Sequence, residues 1–430
     1  MPIFIKSPFK CNRIEDDPLT YGLRDDIIKS SILELMNDQS ILISGARGIG
    51  KSSLCAQLQA VLNGDDTLLQ RCMFSVKIPK FITASHVCLE EETLVDIISC
   101  LIDELEKKLQ KPEQKFKFKT KVEFSLGLIK AALDIEKDSR ISVNTLAQKF
   151  VEAIININET FIEPHINIAI DEIDQIEGSV NIAHFIKATM EKLTTKGIYT
   201  ISFILVGQTG IYNKLISRQP AFERNVKHIK LSTLDMANSR YVLLSCLKKV
   251  GVDIDINDVH VQFIIGLASG FPYLIHLISH ETFIMMCDRY DTIPKYLQIM
   301  TEDIVKGINS ILENKRDRFD NMINTLDPSE KKLLFSLAKD EQQRFPYRFA
   351  IEYLKAYGDD DSLTITKSLC DKLVFSRKIL SRDQSVVYIF NEELFRIYLT
   401  YSIRQHEFEI RKVKWESIED ITLNVNDNFY

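Results

Sequence analysis

The chain has 430 residues, of which 45% are hydrophobic and 27% charged, a composition that is ordinary for a globular protein. Its formal net charge of −6 excludes an overall attraction to nucleic acid, although it leaves room for a local basic face. No stretch has the ~18 apolar residues that a membrane-spanning helix needs, and the N-terminus lacks the apolar run of a signal peptide. We therefore expect a cytoplasmic protein with no membrane partner and roughly two or three domains.

Eight cysteines are spread along the chain, and no two of them form a C-x-x-C pair. Disulfides are rare in a reducing cytoplasm, and structural zinc sites usually contain closely spaced cysteine pairs. The sequence therefore predicts free thiols and no structural zinc.

The first predicted elements are a helix, a strand and a second helix. Apolar residues in YGLRDDIIKSSILELM recur with helical spacing, at Ile27, Ile28, Ile32, Leu33 and Leu35. The apolar run from Ile41 to Ser44 predicts a short buried strand. Residues Lys51 to Leu62 then have the pattern of an amphipathic helix.

The loop between this strand and this helix contains three of the chain's 15 glycines. Its spacing matches G-x-x-x-x-G-K-[ST], in which backbone N–H groups surround a phosphate. Lys51 would reach the β- and γ-phosphates, and the Ser52 hydroxyl would ligate Mg²⁺. The alternative is a glycine-rich turn that matches by chance. The pattern predicts that ATP and Mg²⁺ are bound by Gly45, Ala46, Arg47, Gly48, Ile49, Gly50, Lys51, Ser52 and Ser53.

The next predicted elements are a strand at CMFSVKIP, which begins at Cys72, and an amphipathic helix from Glu91. Lysine and phenylalanine alternate in the first half of the next segment, at about 112–138. This pattern predicts a hairpin inserted into the core domain. In one interpretation the lysines form a solvated face. In the other, the hairpin is a basic, aromatic surface that contacts DNA or a partner.

The segment HINIAIDEID, from His165, predicts a buried strand that ends in acids. A strand buried on both faces has a continuous apolar run, and ligands of α/β sheets bind at the carboxyl ends of the strands. Asp171 is therefore a candidate to orient the Mg²⁺ shell, and Glu172 a candidate to polarise an attacking water. A solvated pair of loop acids is the alternative.

Two more apolar strands are predicted, from Gly197 and from Asn225. Because strands alternate with helices, the sequence predicts a parallel α/β sheet. Gln208 ends the first of these strands. Its amide either lies beside the γ-phosphate or is a turn residue.

Together these motifs resemble those of AAA+ ATPases, and more narrowly those of the origin-recognition-like clade of bacterial and archaeal AAA+ proteins. The matching segments are GARGIGKSS, IAIDEID, FILVGQTG, FERNVKHIKLSTLD, LASGFPYLIHLI and YIFNEELFRIYL. They extend from about residue 20 to about residue 400, so the resemblance covers most of the chain. It implies an α/β fold with an AAA+ P-loop core, a parallel five-stranded sheet, a helical lid and a C-terminal winged helix.

The resemblance also implies roles for residues after the fourth strand. It assigns sensor 1, the group that senses the γ-phosphate, to Gln208. It places an arginine finger in RQPAFERN, with Arg224 favoured over Arg218 and a surface arginine as the alternative. Such a finger acts on the nucleotide of a neighbouring subunit, which implies an ATP-dependent homo-oligomer.

Two motifs depart from the pattern of the family. Sensor 2 usually reads Gly-x-Pro-Arg, but here Pro272 is followed by Tyr273, so the arginine is absent. Pro272 and Tyr273 would lie near the nucleotide, and the departure puts fast hydrolysis in doubt more than binding. The adenine-side motif, usually Gly-Arg-Glu, is here YGLRDD, in which Leu23 separates Gly22 from Arg24.

The implied domains are a nucleotide-binding core at 1–233 with the hairpin inserted, a helical lid at 234–315 and a winged-helix-like domain at 316–430. In the last domain Pro328 begins a predicted helix, and further helices, two short strands and a final helix follow. Basic residues are mixed with acidic ones there, so DNA contact and protein contact both remain open. The basic residues are Lys367, Lys372, Arg377, Lys378 and Arg382, and the acidic residues are Asp359, Asp360, Asp361, Asp371 and Asp383.

Three functions agree with these residues. The first is an ATP-driven AAA+ switch that engages a partner protein or effector, which the resemblance associates with bacterial phage defence. The second is a DNA-binding ATPase of the initiator or transposition-regulator type. The third is a nucleotide-binding scaffold with negligible turnover. In the first hypothesis DNA contact is weak.

Overall fold

The structure is a computed structural model, and the chain divides into two compact units, Met1–Ile308 and Asn309–Tyr430. The described residues are 6–109, 142–161, 164–176, 180–252, 258–289, 298–339, 345–346, 350, 352, 362–382 and 387–411. The predicted hairpin at about 112–138 lies outside them. The division into three domains stays a prediction.

The described part of the first unit is built on a sheet of five parallel strands, in the order β2-β3-β4-β1-β5. The strands are β1 (Ser40–Gly45), β2 (Phe81–Val87), β3 (His165–Asp171), β4 (Ile201–Gln208) and β5 (Val226–Lys230). This arrangement confirms the predicted α/β fold with a parallel five-stranded sheet.

The central strands are buried on both faces. Every residue of β1 is buried, and so are all but the first of β3 and all but the last of β4. The register pairs Gly45 with Gln208, and β3 lies on the other side of β4. The carboxyl ends of these three strands therefore meet at one edge of the sheet, where the predicted site residues begin.

The predicted strand at Cys72 is wrong. Residues 72–80 form no strand, and they mostly alternate between half-buried and exposed positions without a neighbouring strand to pair with. The strand begins instead at Phe81, where Phe81, Thr83 and Ala84 are buried against β3. An alternating pattern predicts a strand only if a partner strand is available, and here the partner lies beside the later segment.

Helices cover both faces of the sheet. The predicted helix Lys51–Leu62 is confirmed with those bounds. Phe150 and Phe185, from two neighbouring helices, pack edge to face with ring centroids 5.4 Å apart. The helices are α1 (Asp25–Met36), α2 (Lys51–Leu62), α3 (Thr67–Arg71), α4 (Leu94–Leu109), α5 (Val143–Thr160), α6 (Val180–Thr195) and α7 (Ile211–Arg218).

Three further helices of the first unit follow β5 and pack on one another: α8 (Met236–Lys249), α9 (Val259–Ala268) and α10 (Pro272–Asp288). The turn between α9 and α10 is bonded to the segment before α8, because Leu234 N donates to Gly270 O at 2.8 Å. Gly270 has φ +73°, and a Cβ atom there would lie 2.2 Å from Leu234 O. Only glycine fits this close approach.

The second unit contains a small antiparallel sheet in the order β6-β8-β7. Its elements are α11 (Thr301–Asn324), which begins before the division, α12 (Pro328–Lys339), β6 (Phe345–Pro346), α13 (Ser362–Asp371), β7 (Leu380–Arg382), β8 (Val387–Phe390) and α14 (Glu393–Arg411). The predicted helix start at Pro328 is confirmed.

None of the helices in the described ranges combines the length and apolarity that a membrane crossing requires.

We expect Gly270→Ala to lower the free energy of unfolding by about 2 kcal/mol or more, because it adds both a left-handed alanine and a backbone clash. Gly266→Ala is the matched control. Gly266 lies inside α9 with no atom within 4 Å of its added Cβ, so alanine should stabilise the protein by about 0.5–1 kcal/mol. Urea unfolding of both variants gives the measurement. Equal effects would show that the approach to Leu234 does not matter.

Candidate nucleotide-binding site

The glycine-rich loop follows β1 and leads directly into α2. Gly48 and Gly50 have φ values of +77° and +93°, and Gly50 is the N-cap residue of α2. Left-handed residues that alternate with right-handed ones turn backbone N–H groups toward one side, and the N-terminus of α2 adds its positive dipole end. The loop lines a cavity of about 310 Å³ and has the backbone form that binds phosphate.

Lys51 is the first residue of α2 and lines this cavity. Its ammonium group donates a hydrogen bond to Ala46 O at 3.0 Å. Burial lowers the pKa of Lys51, while the nearby carboxylates of Asp174, Asp171 and Glu172 act in the opposite direction. The lysine is thus bonded to the loop itself and lies on the side where phosphates would enter.

Asp171 and Glu172 lie at the carboxyl end of β3 and line the same cavity. Asp171 is buried, with 7% of its surface exposed, and its Oδ1 accepts a hydrogen bond from Glu172 N at 2.7 Å. Glu172 is exposed and has φ +55°, a left-handed conformation that L-residues rarely adopt. The backbone therefore turns sharply after Asp171 and leaves the Glu172 side chain outside the strand.

Asp174 anchors the end of β4 to the loop after β3. Its Oδ1 accepts a hydrogen bond from Gln208 N at 2.7 Å, and Ile173 N donates to Val206 O at 3.0 Å. The Gln208 side chain is exposed and lines the cavity. Asp174 also lines the cavity, and its bond to the backbone indicates a positioning role.

The helix α10 reaches the glycine-rich loop through its first turn. Pro272 is its first residue, and Tyr273 N donates to Gly48 O at 3.2 Å. A Cβ atom at Gly48 would lie 2.9 Å from the Tyr273 Cβ, so the tyrosine sits directly against the loop. Tyr273 therefore packs against the glycine-rich loop, and its contact with a nucleotide stays a prediction.

The N-terminal arm, residues 6–24, also lines the cavity, and the sequence patterns predicted little of this. The buried Arg24 donates from Nη2 to Ile49 O at 2.9 Å, and Glu15 N donates to Ser53 Oγ at 3.1 Å. The arm has no helical or strand periodicity, so no local pattern marked these residues. Arg24 could have been noticed only through the altered adenine-side motif.

The structure brings most of the predicted site residues to one cavity. Those that line it are Arg47, Gly48, Ile49, Gly50, Lys51, Ser52, Ser53, Asp171, Glu172, Gln208, Pro272 and Tyr273. Gly45 and Ala46 belong to the same loop. Arg224 does not line the cavity; it is exposed at the end of a 3₁₀ turn, Pro220–Arg224, and Arg218 is exposed at the end of α7.

The donor groups fit the ligands that the sequence predicted. Ser52 and Asp171 offer a hydroxyl and a carboxylate oxygen to one cavity, and Mg²⁺ prefers such hard oxygen ligands. Among the described residues, the cationic side chains that line the cavity are Lys10, Arg13, Arg24, Arg47 and Lys51, and the acidic ones are Glu15, Asp171, Glu172 and Asp174. A polyphosphate with a divalent cation suits this mixture of charges.

Neither a family model nor a curated protein matches the sequence. Solved structures match the fold. A Walker-type ATPase of Pyrococcus abyssi has a TM-score of 0.56 at 15% identity, and the match covers 90% of this chain and 98% of that one. The ORC1 protein of Aeropyrum pernix in complex with DNA has a TM-score of 0.48 at 13% identity, covering 95% and 98%. The ORC2 protein of Aeropyrum pernix, in ADPNP-ADP complexes, has 0.48 at 11%, covering 92% and 98%.

The match to the Pyrococcus abyssi protein concerns the fold alone, because the identity is low. It extends over nearly the whole length of both chains. This chain has the fold of a Walker-type ATPase.

We expect Asp174→Ala to lower the free energy of unfolding by about 1 kcal/mol or more, because Gln208 N loses its acceptor. Asp174→Asn keeps an oxygen at the acceptor position and should lose less than half as much. Chemical denaturation of the two variants separates the hydrogen bond from the charge. If the asparagine and alanine variants lose the same amount, the carboxylate acts through its charge and the positioning role is wrong.

Proposed function

We propose that this protein binds ATP with Mg²⁺ and hydrolyses it to ADP and phosphate, as an AAA+ switch of the origin-recognition-like type. One observation carries the proposal: the phosphate-binding loop, the acids after β3 and the first turn of α10 border the same cavity. A loop alone would support nucleotide binding only. The acids add a means to activate water, and α10 adds a part that can respond to the nucleotide.

In the proposed reaction the loop N–H groups and Lys51 hold the β- and γ-phosphates, and Lys51 exchanges its bond to Ala46 O for phosphate oxygens. Ser52 and Asp171 would hold Mg²⁺, which supplies charge neutralisation on the phosphates. Glu172 accepts a proton from a water that attacks the γ-phosphorus. The bond from that phosphorus to the bridging oxygen breaks, and ADP leaves with its electron pair.

Two further side chains have proposed roles in this reaction. Gln208 would hold the attacking water or sense loss of the γ-phosphate, as its exposed side chain in the cavity allows. Arg224 lies outside the cavity of its own chain, so a finger role requires a second subunit. An ATP-dependent homo-oligomer is therefore part of the proposal.

The switch would act through the contact between α10 and the loop. Tyr273 N and Gly48 O are bonded backbone to backbone, so any shift of the loop around phosphate changes the position of α10. The predicted lid at 234–315 contains this helix. We propose that ATP closes this lid and changes engagement of a protein partner by the C-terminal domain. A place in phage defence is the further prediction that the resemblance suggests.

The alternative function is that of a DNA-binding ATPase, with a winged helix in the C-terminal unit. Charge argues against tight DNA binding, because ion pairs occupy three cationic side chains near the small sheet. Arg377 pairs with the buried Glu330 at 3.1 Å, and Arg382 pairs with Asp371 at 3.4 Å. Lys372 also pairs with Glu330, at 3.3 Å. A cation that already has a carboxylate partner neutralises a phosphate less well.

Glu330 is held in place for this pairing. Its Oε2 accepts a hydrogen bond from Asp327 N at 2.7 Å, which caps the start of α12. Burial by itself would raise the pKa of Glu330, but this hydrogen bond and the pairs with Arg377 and Lys372 lower it overall. The carboxylate therefore stays charged at neutral pH, and we favour protein recognition over DNA reading.

We expect Glu172→Gln to leave ATP affinity intact and to slow hydrolysis by about 100-fold or more, because the water loses its general base. Lys51→Ala should weaken ATP binding by at least about 10-fold. Glu191→Gln, the same change on an exposed face of α6, is the control and should alter neither. Turnover assays and calorimetric titration give both quantities. Unchanged turnover in Glu172→Gln, or ATP affinity within threefold for Lys51→Ala, would contradict the assignment.

We expect weak, sequence-independent binding to duplex DNA, with a Kd weaker than about 1 μM at physiological salt. Fluorescence anisotropy at two salt concentrations, with ATP present, measures it. Lys367→Glu and Lys378→Glu remove exposed cations of the C-terminal unit, and Lys196→Glu, at the exposed turn just after α6, is the charge-matched control. Nanomolar binding to one sequence, lost in the first two variants and kept in the third, would favour the DNA-binding alternative.

A further inference from the structure

A second group of side chains lies beside the cavity, and the proposed reaction does not use it. Glu15 of the arm, Cys246 of α8 and His276 of α10 bring a carboxylate oxygen, a sulfur and an imidazole nitrogen within 4.8 Å of one another. All three residues are buried, with 7%, 0% and 5% of their surface exposed. A carboxylate is rarely buried this deeply unless both of its oxygens are satisfied.

Glu15 carries an atom that lacks a partner. Its Oε1 accepts hydrogen bonds from Lys10 Nζ at 2.9 Å and Asp17 N at 3.0 Å. Its Oε2 is buried and has no hydrogen-bond partner in the structure. The nearest candidate is His276 Nε2, which lies 3.7 Å away, beyond hydrogen-bond distance. A buried carboxylate oxygen without a partner destabilises the fold unless a ligand binds it.

We propose that Glu15 Oε2, Cys246 Sγ and His276 Nε2 bind one divalent metal ion of the zinc class. Zinc accepts this mixture of oxygen, sulfur and nitrogen at about 2.0–2.3 Å in tetrahedral geometry, which separates neighbouring donors by about 3.3–3.8 Å. The 3.7 Å between the oxygen and the nitrogen fits that range. The widest separation, up to 4.8 Å, closes with movements of about 1 Å.

The set of donor atoms suits a metal of this class, because it combines a carboxylate oxygen, a sulfur and an imidazole nitrogen. Mg²⁺ and Ca²⁺ avoid sulfur, whereas zinc and similar ions accept it. The predicted Mg²⁺ at Ser52 and this ion therefore do not compete.

Lys10 is the neighbouring cation that this site must accommodate. Its ammonium group pairs with Glu15 Oε1 and with Asp16, so it holds the carboxylate by the oxygen that the metal does not use. Such an outer contact orients a ligating carboxylate. Lys10 N also donates a long hydrogen bond, of 3.4 Å, to His276 Nδ1, so the ring proton is on Nε2 in this arrangement. Metal binding at Nε2 requires that proton to move to Nδ1, which breaks the bond from Lys10 N.

The site would join three segments that are far apart in the sequence. One ion ties the arm to α8 and α10, and Glu15 and His276 also line the cavity proposed for ATP. Three protein ligands leave a fourth tetrahedral position, beside this cavity, for water or another group. No C-x-x-C spacing marks this set, which explains why the cysteine pattern predicted no structural zinc.

The experiment is a titration of the chelator-stripped, nucleotide-free full-length protein with Co²⁺, followed by displacement with Zn²⁺. We expect one equivalent to bind, with a thiolate-to-cobalt charge-transfer band and visible bands of tetrahedral cobalt, and a higher melting temperature with Zn²⁺. Cys246→Ser should abolish the charge-transfer band and weaken Zn²⁺ binding by at least about 100-fold. Because no nucleotide is present, the result does not depend on the proposed ATPase activity.

Cys287→Ser is the matched control, since it removes a partly buried thiol from α10 outside the triad and should keep the band. If Cys246→Ser fails to fold, Glu15→Gln and His276→Gln provide the test, because each removes one ligand and should weaken Zn²⁺ binding while the cysteine remains. Absence of a charge-transfer band at one equivalent overturns the proposal. A band that persists in Cys246→Ser, or Zn²⁺ affinity unchanged in all the ligand variants, also overturns it.

Discussion

The carbonyl oxygens of the glycine-rich loop are the constraint on which the rest of the site depends. Gly48 O accepts from Tyr273 N, Ile49 O accepts from Arg24, and Ala46 O accepts from Lys51. A loop of this kind can present its N–H groups to an anion only if its carbonyls are bonded elsewhere. The helix α10, the N-terminal arm and the loop's own lysine supply these donors, so three separate parts of the chain together set the shape of one short segment.

The sequence predicted best what depends on neighbouring residues. The loop, α2 and the acids after β3 follow from spacing within a few positions, and an apolar run is enough to predict a strand buried on both faces. The segment at Cys72 had the right alternation but lacks a partner strand, and pairing is a long-range property. The contacts of Glu15 and Arg24 are also long-range. The arm that carries them has no periodicity, so its position depends on contacts with residues distant in the sequence. No local pattern could reveal them.

Tyr273 shows how a departure from a family pattern takes on a structural meaning. An arginine at this position would extend a charge toward phosphate, whereas the tyrosine lies against Gly48 and its backbone bonds to the loop. The helix α10 and the loop are therefore joined by main-chain atoms and close packing. Coupling of this kind does not depend on side-chain charge, so salt would screen it little.

The left-handed backbone at Glu172 has a consequence for the engineering of this protein. An L-residue in that conformation costs about 1–2 kcal/mol relative to glycine, and an exposed side chain recovers little of that by packing. A library of variants sorted only for heat resistance should therefore enrich glycine or asparagine at position 172. A library sorted for turnover should retain glutamate. Comparing the two enriched populations would separate the demands of folding from those of chemistry at a single codon.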